Sequence, residues 1–328
     1  MNFNYKPDFD ISKTNFLVTG GAGFIGSNLV NFLLQNKAQK VRVLDDLSTG
    51  YKTNIEPFLA NPAFEFIEGS IVNVSDCEHS VNDIDVVLHQ AALGSVPRSI
   101  NDPAATNAVN VSGFLNMLNA AKNNKVKRFV YASSSSVYGD DKTMPKVENI
   151  TGGLLSPYAV TKKTNELYAD VFYKTYGLEV IGLRYFNVFG PKQNIKGPYA
   201  AVIPIFITDL LNGKSPSIFG DGTTTRDFTF IENVIQANLI AAFTTNKEAI
   251  NQVFNIAYGG TTSLNSLFDI IASKLEIDLK PIYKPERKGD IKDSFANIDK
   301  AKKLLKYNPT IEISKGLELT VDWYKENN

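Results

Sequence analysis

The chain has 328 residues, of which 43% are hydrophobic and 21% are charged. This is an ordinary globular composition, and the length is sufficient for two domains. The 34 Lys and Arg residues balance the 34 Asp and Glu residues, so no overall field attracts the protein to nucleic acid or to an anionic membrane. Cys77 is the only cysteine, which excludes an internal disulfide. The two histidines, His79 and His89, stand in no cluster with metal-ligand spacing, so we predict no metal site.

The N-terminal stretch from Met1 to Lys13 is polar and lacks the apolar core of a secretory signal. No apolar run approaches the length needed to cross a bilayer. We therefore expect a cytoplasmic protein that has neither a membrane nor a nucleic acid as its partner.

A glycine-rich turn follows the first apolar run of the chain, at 16–18. Gly20, Gly23 and Gly26 recur every third residue and lead into an apolar-periodic segment at 24–34. Glycine lets the backbone turn sharply and lets a phosphate approach the amides at the start of a helix. A second apolar strand ends at Asp45, where a dinucleotide-binding unit holds a ribose hydroxyl. We predict strand, turn, helix and strand around a dinucleotide; the alternative is an ordinary turn with a solvent-facing Asp.

Short apolar strands alternate with helical patterns from residue 14 to residue 185. This alternation predicts an α/β fold with a doubly wound parallel sheet, in which ligands bind beyond the carboxyl ends of the strands. The predicted strands are 16–18, 41–44, 64–67, 85–89, 128–132 and 180–184, and the later helices are 76–81, 103–123 and 156–176.

The alternation becomes irregular after residue 186, where Gly and Pro recur more closely. We predict a first domain over 1–187 and a smaller, mixed α/β domain over 188–328 that covers the ligand edge of the sheet. A helix and a strand within 229–260 are expected to rejoin the first domain. Another helix is predicted over 297–306.

Two polar motifs follow the fifth strand. The serines at 133–136 come directly after a buried strand, which favours hydroxyls directed into a cleft over a flexible loop. Tyr158 and Lys162 are four residues apart on one face of a helix that begins after Ser156 and Pro157. A nearby ammonium lowers the pKa of a phenol and makes it a better base at neutral pH. The alternative is an incidental pair on an exposed helix face.

The glycine turn, the serine run and the Tyr158/Lys162 pair, in this order, resemble the extended short-chain dehydrogenase/reductase family. Within it the chain is similar to the nucleotide-sugar 4-epimerases, from about Asn15 to Tyr324. The segment 90–103, with Gly-Ser-Val-Pro-Arg-Ser at 94–99, resembles the subgroup that acts on UDP-N-acetylhexosamines and their uronic acids. The resemblance implies a Rossmann-type sheet with NAD as the cofactor.

The resemblance also implies which residues hold NAD. An acid at Asp45 fits NAD better than NADP, because it would repel a 2′-phosphate. Ser70 stands where the family has an aspartate, which leaves the adenine contact open. The implied contacts are Gly20, Gly23, Phe24, Ile25 and Gly26 at the pyrophosphate, Asp45, Asp46, Ser48, Thr49 and Gly50 at the adenosine ribose, Ser70 and Ile71 near adenine, and Gln90, Ala91, Ala92, Asn110, Tyr158, Lys162 and Tyr185 towards the nicotinamide.

The catalytic residues implied by the resemblance are Tyr158 as the base, Lys162 beside it, and Ser134 as the hydroxyl that binds the reacting oxygen. Ser135 is the alternative to Ser134, because the serine run leaves the register open. The implied substrate contacts are Gly94, Ser95, Arg98, Ser135, Asn187, Val202, Ser217, Phe219, Arg226, Arg287, Asp290 and Ser294. Arg226 and Arg287 suit a diphosphate, since a guanidinium binds it through two parallel hydrogen bonds.

Ser294 bears on the choice of sugar. Family members restricted to non-acetylated hexoses carry a bulky aromatic four residues after the position of Asp290, whereas a serine leaves room for a 2-N-acetyl group. The predicted function is therefore the reversible C4 epimerisation of UDP-GlcNAc and UDP-GalNAc through a 4-keto sugar. A UDP-glucose or UDP-N-acetylhexosaminuronate 4-epimerase remains an alternative.

Three other functions are less well supported by the sequence. The related 4,6-dehydratases have an Asp-Glu pair, and the decarboxylases a Glu, where this chain has Ser135 and Ser136. A non-catalytic NAD-binding regulator could lose the Tyr158/Lys162 pair, which this chain retains. The resemblance also implies a homodimer that pairs the helices 103–123 and 156–176.

Overall fold

The computed structural model describes residues 3–194, 201–286 and 293–327. The strands of this part of the chain are β1 Asn15–Thr19, β2 Lys40–Asp45, β3 Phe64–Glu68, β4 Val86–His89, β5 Arg128–Ser134, β6 Val180–Tyr185, β7 Val188–Phe189, β8 Ser217–Phe219, β9 Thr225–Arg226, β10 Thr229–Phe230, β11 Gln252–Ile256, β12 Thr262–Ser263, β13 Ile282–Lys284 and β14 Asp293–Ser294. The helices are α1 Phe24–Gln35, α2 Val74–Ser80, α3 Val96–Asn101, α4 Pro103–Asn107, α5 Phe114–Asn123, α6 Pro157–Tyr176, α7 Val202–Leu211, α8 Ile231–Phe243, α9 Leu264–Leu275, α10 Asp299–Leu305 and α11 Ile313–Asn327.

Seven strands form one sheet in the order β11-β6-β5-β4-β1-β2-β3, and every neighbouring pair is parallel. Successive side chains of β1 enter different apolar clusters: Phe16 and Val18 belong to one, and Leu17 to the other. A strand that is buried on both faces has no polar alternation, which is why its sequence is a continuous apolar run. The Rossmann-type, doubly wound α/β fold predicted from the sequence is confirmed.

The order of the strands reverses between β1 and β4. The chain passes from β1 outward to β2 and β3 and then returns to the other side of β1, which opens a crevice at the carboxyl ends of these strands. The Oγ1 atom of Thr19 lies 2.9 Å from Nδ1 of His89 at these two strand ends. Burial, helped by the charge of Lys162, lowers the pKa of His89 to about 3, so this ring is neutral and structural.

Helix α6 confirms the prediction for 156–176. Ser156 caps it by accepting a hydrogen bond from the Ala159 amide at 3.2 Å, and it ends at Gly177, whose φ of +73° is left-handed. The helix predicted over 103–123 is not regular, because a π-helical turn over 108–113 separates α4 from α5.

Other predicted boundaries also differ from the structure by one or more residues. Helix α2 begins at Val74 rather than residue 76, because Asn73 caps it by accepting a hydrogen bond from the Ser75 amide at 3.1 Å. Strand β4 begins after Asp85, whose carboxylate instead accepts a hydrogen bond from the Asn15 amide. The last predicted helix is shorter than 297–306 and corresponds to α10.

Small sheets stand beyond the main one. Strand β9 pairs with β12 and with β14, β8 pairs with β13, and β7 pairs with β10. Strand β11 joins the main sheet at its edge beside β6, so the chain returns to that sheet after α8. The division into two domains stays a prediction. No helix in the described ranges combines the length and apolarity that crossing a bilayer requires.

A buried ion pair fixes α6 against the sheet. The Glu166 carboxylate of α6 accepts hydrogen bonds from Nε and Nη2 of Arg184 in β6, at 2.8 and 2.9 Å, and from the Ser133 hydroxyl of β5, at 2.7 Å. Burial acts to raise the pKa of Glu166, but the hydrogen bonds and charge of Arg184 outweigh it and hold this pKa below its usual value. One side chain thus joins three elements.

Removing one partner leaves a buried charge without its counterion. We therefore expect Glu166→Ala to lower the free energy of unfolding by about 3–5 kcal/mol, measured by urea denaturation. Glu318→Ala is the matched control, since Glu318 pairs with Lys315 on the surface of α11 and its loss should cost about 0–1 kcal/mol. Equal losses in the two variants would contradict the role given to Glu166.

Candidate active site

The glycine turn after β1 requires glycine at its first position. Gly20 has a φ of +69°, and a Cβ atom there would lie 2.8 Å from backbone atoms of Ala91. Its amide donates to the Leu44 carbonyl at 2.9 Å, while its own carbonyl accepts from the Gly23 amide at 3.1 Å. A larger residue would therefore push apart the two loops that follow β1 and β4.

The turn leads directly into the N-terminus of α1. Gly23 is the N-cap of this 12-residue helix and has no side chain that accepts hydrogen bonds from the amides of the first turn. Gly26 faces the turn so closely that a Cβ atom would overlap the Gly20 carbonyl. Uncapped amides and the positive end of the helix dipole suit a phosphate group. This part of the site therefore fits the pyrophosphate of a dinucleotide.

Asp45 ends β2 beside this turn. Its carboxylate accepts hydrogen bonds from the amides of Ala22 at 2.9 Å and Leu47 at 2.8 Å. Burial raises the pKa of Asp45 above its usual value, and these two amides oppose that effect. A fixed carboxylate that retains accepting capacity suits a ribose diol, so the donor and acceptor set fits NAD.

A cavity of about 430 Å³ lies over the carboxyl ends of the central strands. Its lining includes, among the predicted contacts, Gly20, Gly23, Phe24, Ile25, Gly26, Asp45, Asp46, Ser48, Thr49, Gly50, Ile71, Gln90, Ala91, Ala92, Gly94, Ser95 and Arg98. Most of the residues predicted at the dinucleotide thus surround one space. Over the described residues this lining does not extend to Ser134, Tyr158, Lys162, Arg226 or Ser294.

Ser70, which departs from the family pattern, holds a neighbouring acid. Its hydroxyl donates to Asp46 at 3.1 Å, and its amide donates to Asp76 at 2.9 Å. The cavity wall beside it is formed by Gly69 and Ile71. The residue therefore orients Asp46 from the side, and the backbone around it borders the space.

Strand β5 runs two residues further than predicted, so Ser133 and Ser134 lie at its end and only Ser135 and Ser136 follow it. Ser133 is engaged with Glu166, and Ser134 accepts a hydrogen bond from the Ser136 amide at 3.1 Å. The Ser134 hydroxyl also acts on the Tyr158 phenol and lowers the pKa of that phenol, which places the two side chains near each other. The Ser136 hydroxyl is buried and has no hydrogen-bond partner among the residues described. Of the two serines predicted as catalytic, Ser134 is therefore the one near Tyr158.

Tyr158 and Lys162 lie together near the start of α6. The Lys162 ammonium is 5.9 Å from the centre of the Tyr158 ring and donates to the Ala132 carbonyl at 2.8 Å. Burial lowers the pKa of Lys162 to about 8. Burial also raises the pKa of Tyr158, and the Ser134 hydroxyl only partly opposes this rise. The expectation of a lowered phenol pKa is thus wrong for the protein alone, because desolvation outweighs the effect of its polar neighbours.

Two contacts attach the start of α6 to the cavity wall. The Tyr158 amide donates to the Ser99 hydroxyl of α3 at 3.0 Å. Asn110 accepts from the Leu93 amide at 2.8 Å and donates to the Thr161 hydroxyl at 3.2 Å. Asn110 is buried, so it acts from behind the wall and fixes the wall relative to α6.

Gln90 and Tyr185 belong to a closed ring of hydrogen bonds. Tyr185 donates to Gln90 at 3.2 Å, Gln90 donates to Asn238 at 3.1 Å, and Asn238 donates to Tyr185 at 2.8 Å. Asn238 lies on α8 and is fully buried. The ring fixes the orientation of the Gln90 amide beside the cavity, and nothing in the local sequence around Asn238 predicts this role.

Four of the predicted nucleotide contacts, Ser217, Phe219, Arg226 and Ser294, lie on the small sheets. Arg226 of β9 and Ser294 of β14 are direct register partners, so these two residues are adjacent. Asn187 donates to the Asp227 carbonyl at 3.1 Å, which places it beside the same strand. Ser217 and Phe219 begin and end β8, Val202 begins α7, and Arg287 and Asp290 lie outside the described residues.

Five residues that line the cavity are not among the contacts predicted from the sequence. Leu44, Gly69, Leu93, Val109 and Asn194 all contribute to the lining. Each of the first four is adjacent in sequence to a predicted contact, so the motif pattern could have extended to them. Asn194 comes from the loop after β7 and has no local signal, because only the folded chain brings it to the cavity.

The sequence matches the model of the NAD dependent epimerase/dehydratase family over residues 16–257. A putative UDP-glucose 4-epimerase of Methanocaldococcus jannaschii is 39% identical over 95% of this chain and 99% of its own. The solved structure of the UDP-N-acetylglucosamine 4-epimerase of Methanobrevibacter ruminantium M1, in complex with UDP-N-acetylmuramic acid, is similar to this chain with a TM-score of 0.91 and 39% sequence identity. The match covers 97% of this chain and 100% of that protein. The solved structure of the UDP-glucuronic acid 4-epimerase of Bacillus cereus, in complex with UDP-glucuronic acid and NAD, has a TM-score of 0.88 and 34% sequence identity to this chain. The match covers 96% of this chain and 100% of that protein.

Proposed function

Since the chain belongs to the NAD dependent epimerase/dehydratase family, its cofactor is NAD, and we propose that it inverts C4 of a UDP-N-acetylhexosamine. The reaction interconverts UDP-GlcNAc and UDP-GalNAc. The observation that carries the choice of sugar is the small Ser294 beside Arg226 in the paired strands β14 and β9. The full-length similarity to UDP-sugar 4-epimerases supports the reaction type.

On the cofactor side of the site, the amides at the start of α1 would hold the NAD pyrophosphate, and Asp45 would accept hydrogen bonds from the adenosine ribose. Gln90 and Tyr185 would border the nicotinamide, and Lys162 would hold the second ribose. Bound NAD would supply a reversible hydride acceptor for C4 of the sugar and a positive charge that favours the Tyr158 phenolate.

Tyr158 is assigned as the base that takes the proton of the 4-hydroxyl and later returns it. The Ser134 hydroxyl favours the phenolate by lowering the pKa of Tyr158, and it would also bind the oxygen that becomes the ketone. Lys162, whose pKa of about 8 keeps most of it charged at neutral pH, stabilises negative charge on Tyr158. The 4-keto sugar then turns, so that its other face meets the hydride donor.

The small side chain of Ser294 is assigned the role of leaving room for the rotation of the 4-keto sugar. Its side chain is half-buried, and its backbone is held by the pairing of β14 with β9. A 2-N-acetyl group is bulky, and a large residue here would meet it as the sugar rotates. Gly94 and Ser95 add a second wall of small residues on the cavity side.

A UDP-uronic acid is the second candidate, and one observation favours it. Arg98 lies in the cavity wall, where its guanidinium suits a carboxylate at C6 of the sugar. A 4,6-dehydratase is not proposed, since Ser135 and Ser136 offer no acid for an elimination step.

The proposal is tested with UDP-GlcNAc, UDP-glucose, UDP-GlcNAcA and UDP-glucuronic acid, each incubated separately with the purified protein. We expect proton NMR to detect UDP-GalNAc from UDP-GlcNAc without added NAD, because the redox change cancels within each turnover. Tyr158→Phe removes the base and should lower turnover about 10²- to 10⁴-fold. Preferential turnover of a uronic acid would support the second candidate, and near-normal turnover by Tyr158→Phe would contradict the catalytic assignment.

The sugar preference is tested at Ser294. We expect Ser294→Tyr to lower kcat/KM for UDP-GlcNAc by roughly tenfold or more, since overpacking costs about 1–3 kcal/mol. Turnover of UDP-glucose should change far less, and Ser294→Ala, which keeps the space, serves as the control. A Ser294→Tyr enzyme that handles the acetylated sugar as well as the wild type would exclude this role.

We also propose a cytoplasmic homodimer that pairs through α6. Val160, Leu167 and Val171 are 48%, 59% and 51% exposed and fall on one stripe of this helix. Sedimentation velocity should detect a dimer that Leu167→Glu converts to a monomer. Leu59→Glu changes a leucine of similar exposure away from α6 and should leave the dimer intact.

A further inference from the structure

Asp227, the residue after Arg226, accepts hydrogen bonds from several loops and has no role in the proposed catalytic scheme. It is 1% exposed and lies between β9 and β10. Its carboxylate accepts hydrogen bonds from the amides of Tyr258 at 3.2 Å, Gly259 at 3.2 and 3.3 Å, and Ala296 at 3.2 Å. Two loops that are about forty residues apart in sequence therefore meet at one side chain.

The backbone of Asp227 adds two further contacts. Its amide donates to the Ser294 carbonyl at 3.0 Å, and its carbonyl accepts from the Asn187 side chain at 3.1 Å. Asn187 and Ser294 are both assigned to the sugar nucleotide. Side chain and backbone together connect this one residue to the segments that carry Arg226, Ser294 and Asn187.

The loop that faces the carboxylate is shaped to reach it. Gly259 has a φ of +85°, and a Cβ atom there would lie 3.2 Å from the Ile298 side chain. Only glycine adopts this conformation without strain, and it directs the amides of Tyr258 and Gly259 towards the carboxylate. The arrangement is therefore specific to an acceptor with two oxygens at position 227.

Holding loops together through a buried carboxylate costs free energy, because the charged group loses its hydration. Burial raises the pKa of Asp227 to about 7, and the amides of Ala296, Gly259, Tyr258 and Gly260 only partly oppose this rise. Apolar side chains could pack the same space without that desolvation cost. Perturbed acids of this kind concentrate at functional sites, where geometry matters more than stability.

We propose that Asp227 is a positioning residue for the sugar nucleotide: it holds Arg226, Ser294 and Asn187 in the arrangement that binds the UDP-sugar. The inference rests on the proposed function, because these three residues are the substrate contacts that the resemblance to UDP-sugar epimerases implies. Asp227 does not touch the reacting atoms, so its loss weakens binding of the nucleotide and leaves the chemical step largely intact.

The test uses the full-length protein with its NAD and the substitution Asp227→Asn. This change keeps the shape but directs an NH₂ group at backbone N–H groups, so at least one amide loses its acceptor. We expect KM for UDP-GlcNAc, and the Kd for UDP alone by calorimetry, to rise roughly tenfold. The NAD content and kcat at saturation should stay within about threefold of the wild type.

Asp269→Asn is the matched control, since Asp269 is exposed on α9 and the same change should leave both constants unaltered. A purely structural role would lower stability or kcat without a selective rise in KM, and such a result would overturn the inference. An unchanged Kd for UDP would also overturn it. If the wild type binds no UDP, the proposed function itself fails, which is a distinguishable outcome.

If Asp227→Asn does not fold, the proposal is tested by amide hydrogen exchange of the wild-type protein with and without UDP. UDP should slow exchange at the amides of Tyr258, Gly259 and Ala296, because a filled site stabilises the segments that Asp227 joins. Protection elsewhere in the small sheets without any change at these three amides would refute the proposal.

Discussion

The ion pair of Glu166 and Arg184 is the interaction on which the geometry of the site depends. Glu166 lies one helical turn after Lys162, its partner Arg184 precedes Tyr185, and Ser133 precedes Ser134. Every member of the buried network is thus a neighbour of a proposed functional residue. Because a buried charge tolerates little displacement from its counterion, the register between α6, β5 and β6 is closely fixed.

The two ends of the candidate site are built by different physical means. The cofactor end is mostly backbone: glycine φ angles, close approaches and the amides of a helix start define it. The proposed sugar end includes short strands of two residues each, such as β9 and β14. The hydrogen bonds that converge on Asp227 add to the pairing of these strands.

The sequence predicts the main sheet and the cofactor end because their signals are local. Gly20 and Asp45 are read from short spacings, and the fold follows from alternating apolar runs. Asn238 and Asn194 reach the site from distant segments, so no short pattern reveals them. The direction of the Tyr158 pKa was wrong for a related reason: the helix spacing to Lys162 is local, whereas the burial that dominates is a property of the whole fold. The π-helical turn at 108–113 likewise leaves no trace in the apolar periodicity.

The return of the chain to the main sheet at β11 has a mechanical consequence. The polypeptide leaves the sheet after β6, re-enters it through α8 and β11, and leaves again towards β12. Several covalent connections therefore cross between the sheet and the small strands, and a rigid-body swing would have to bend all of them together. These connections favour substrate entry by local loop rearrangement over a swing of the small strands as one body.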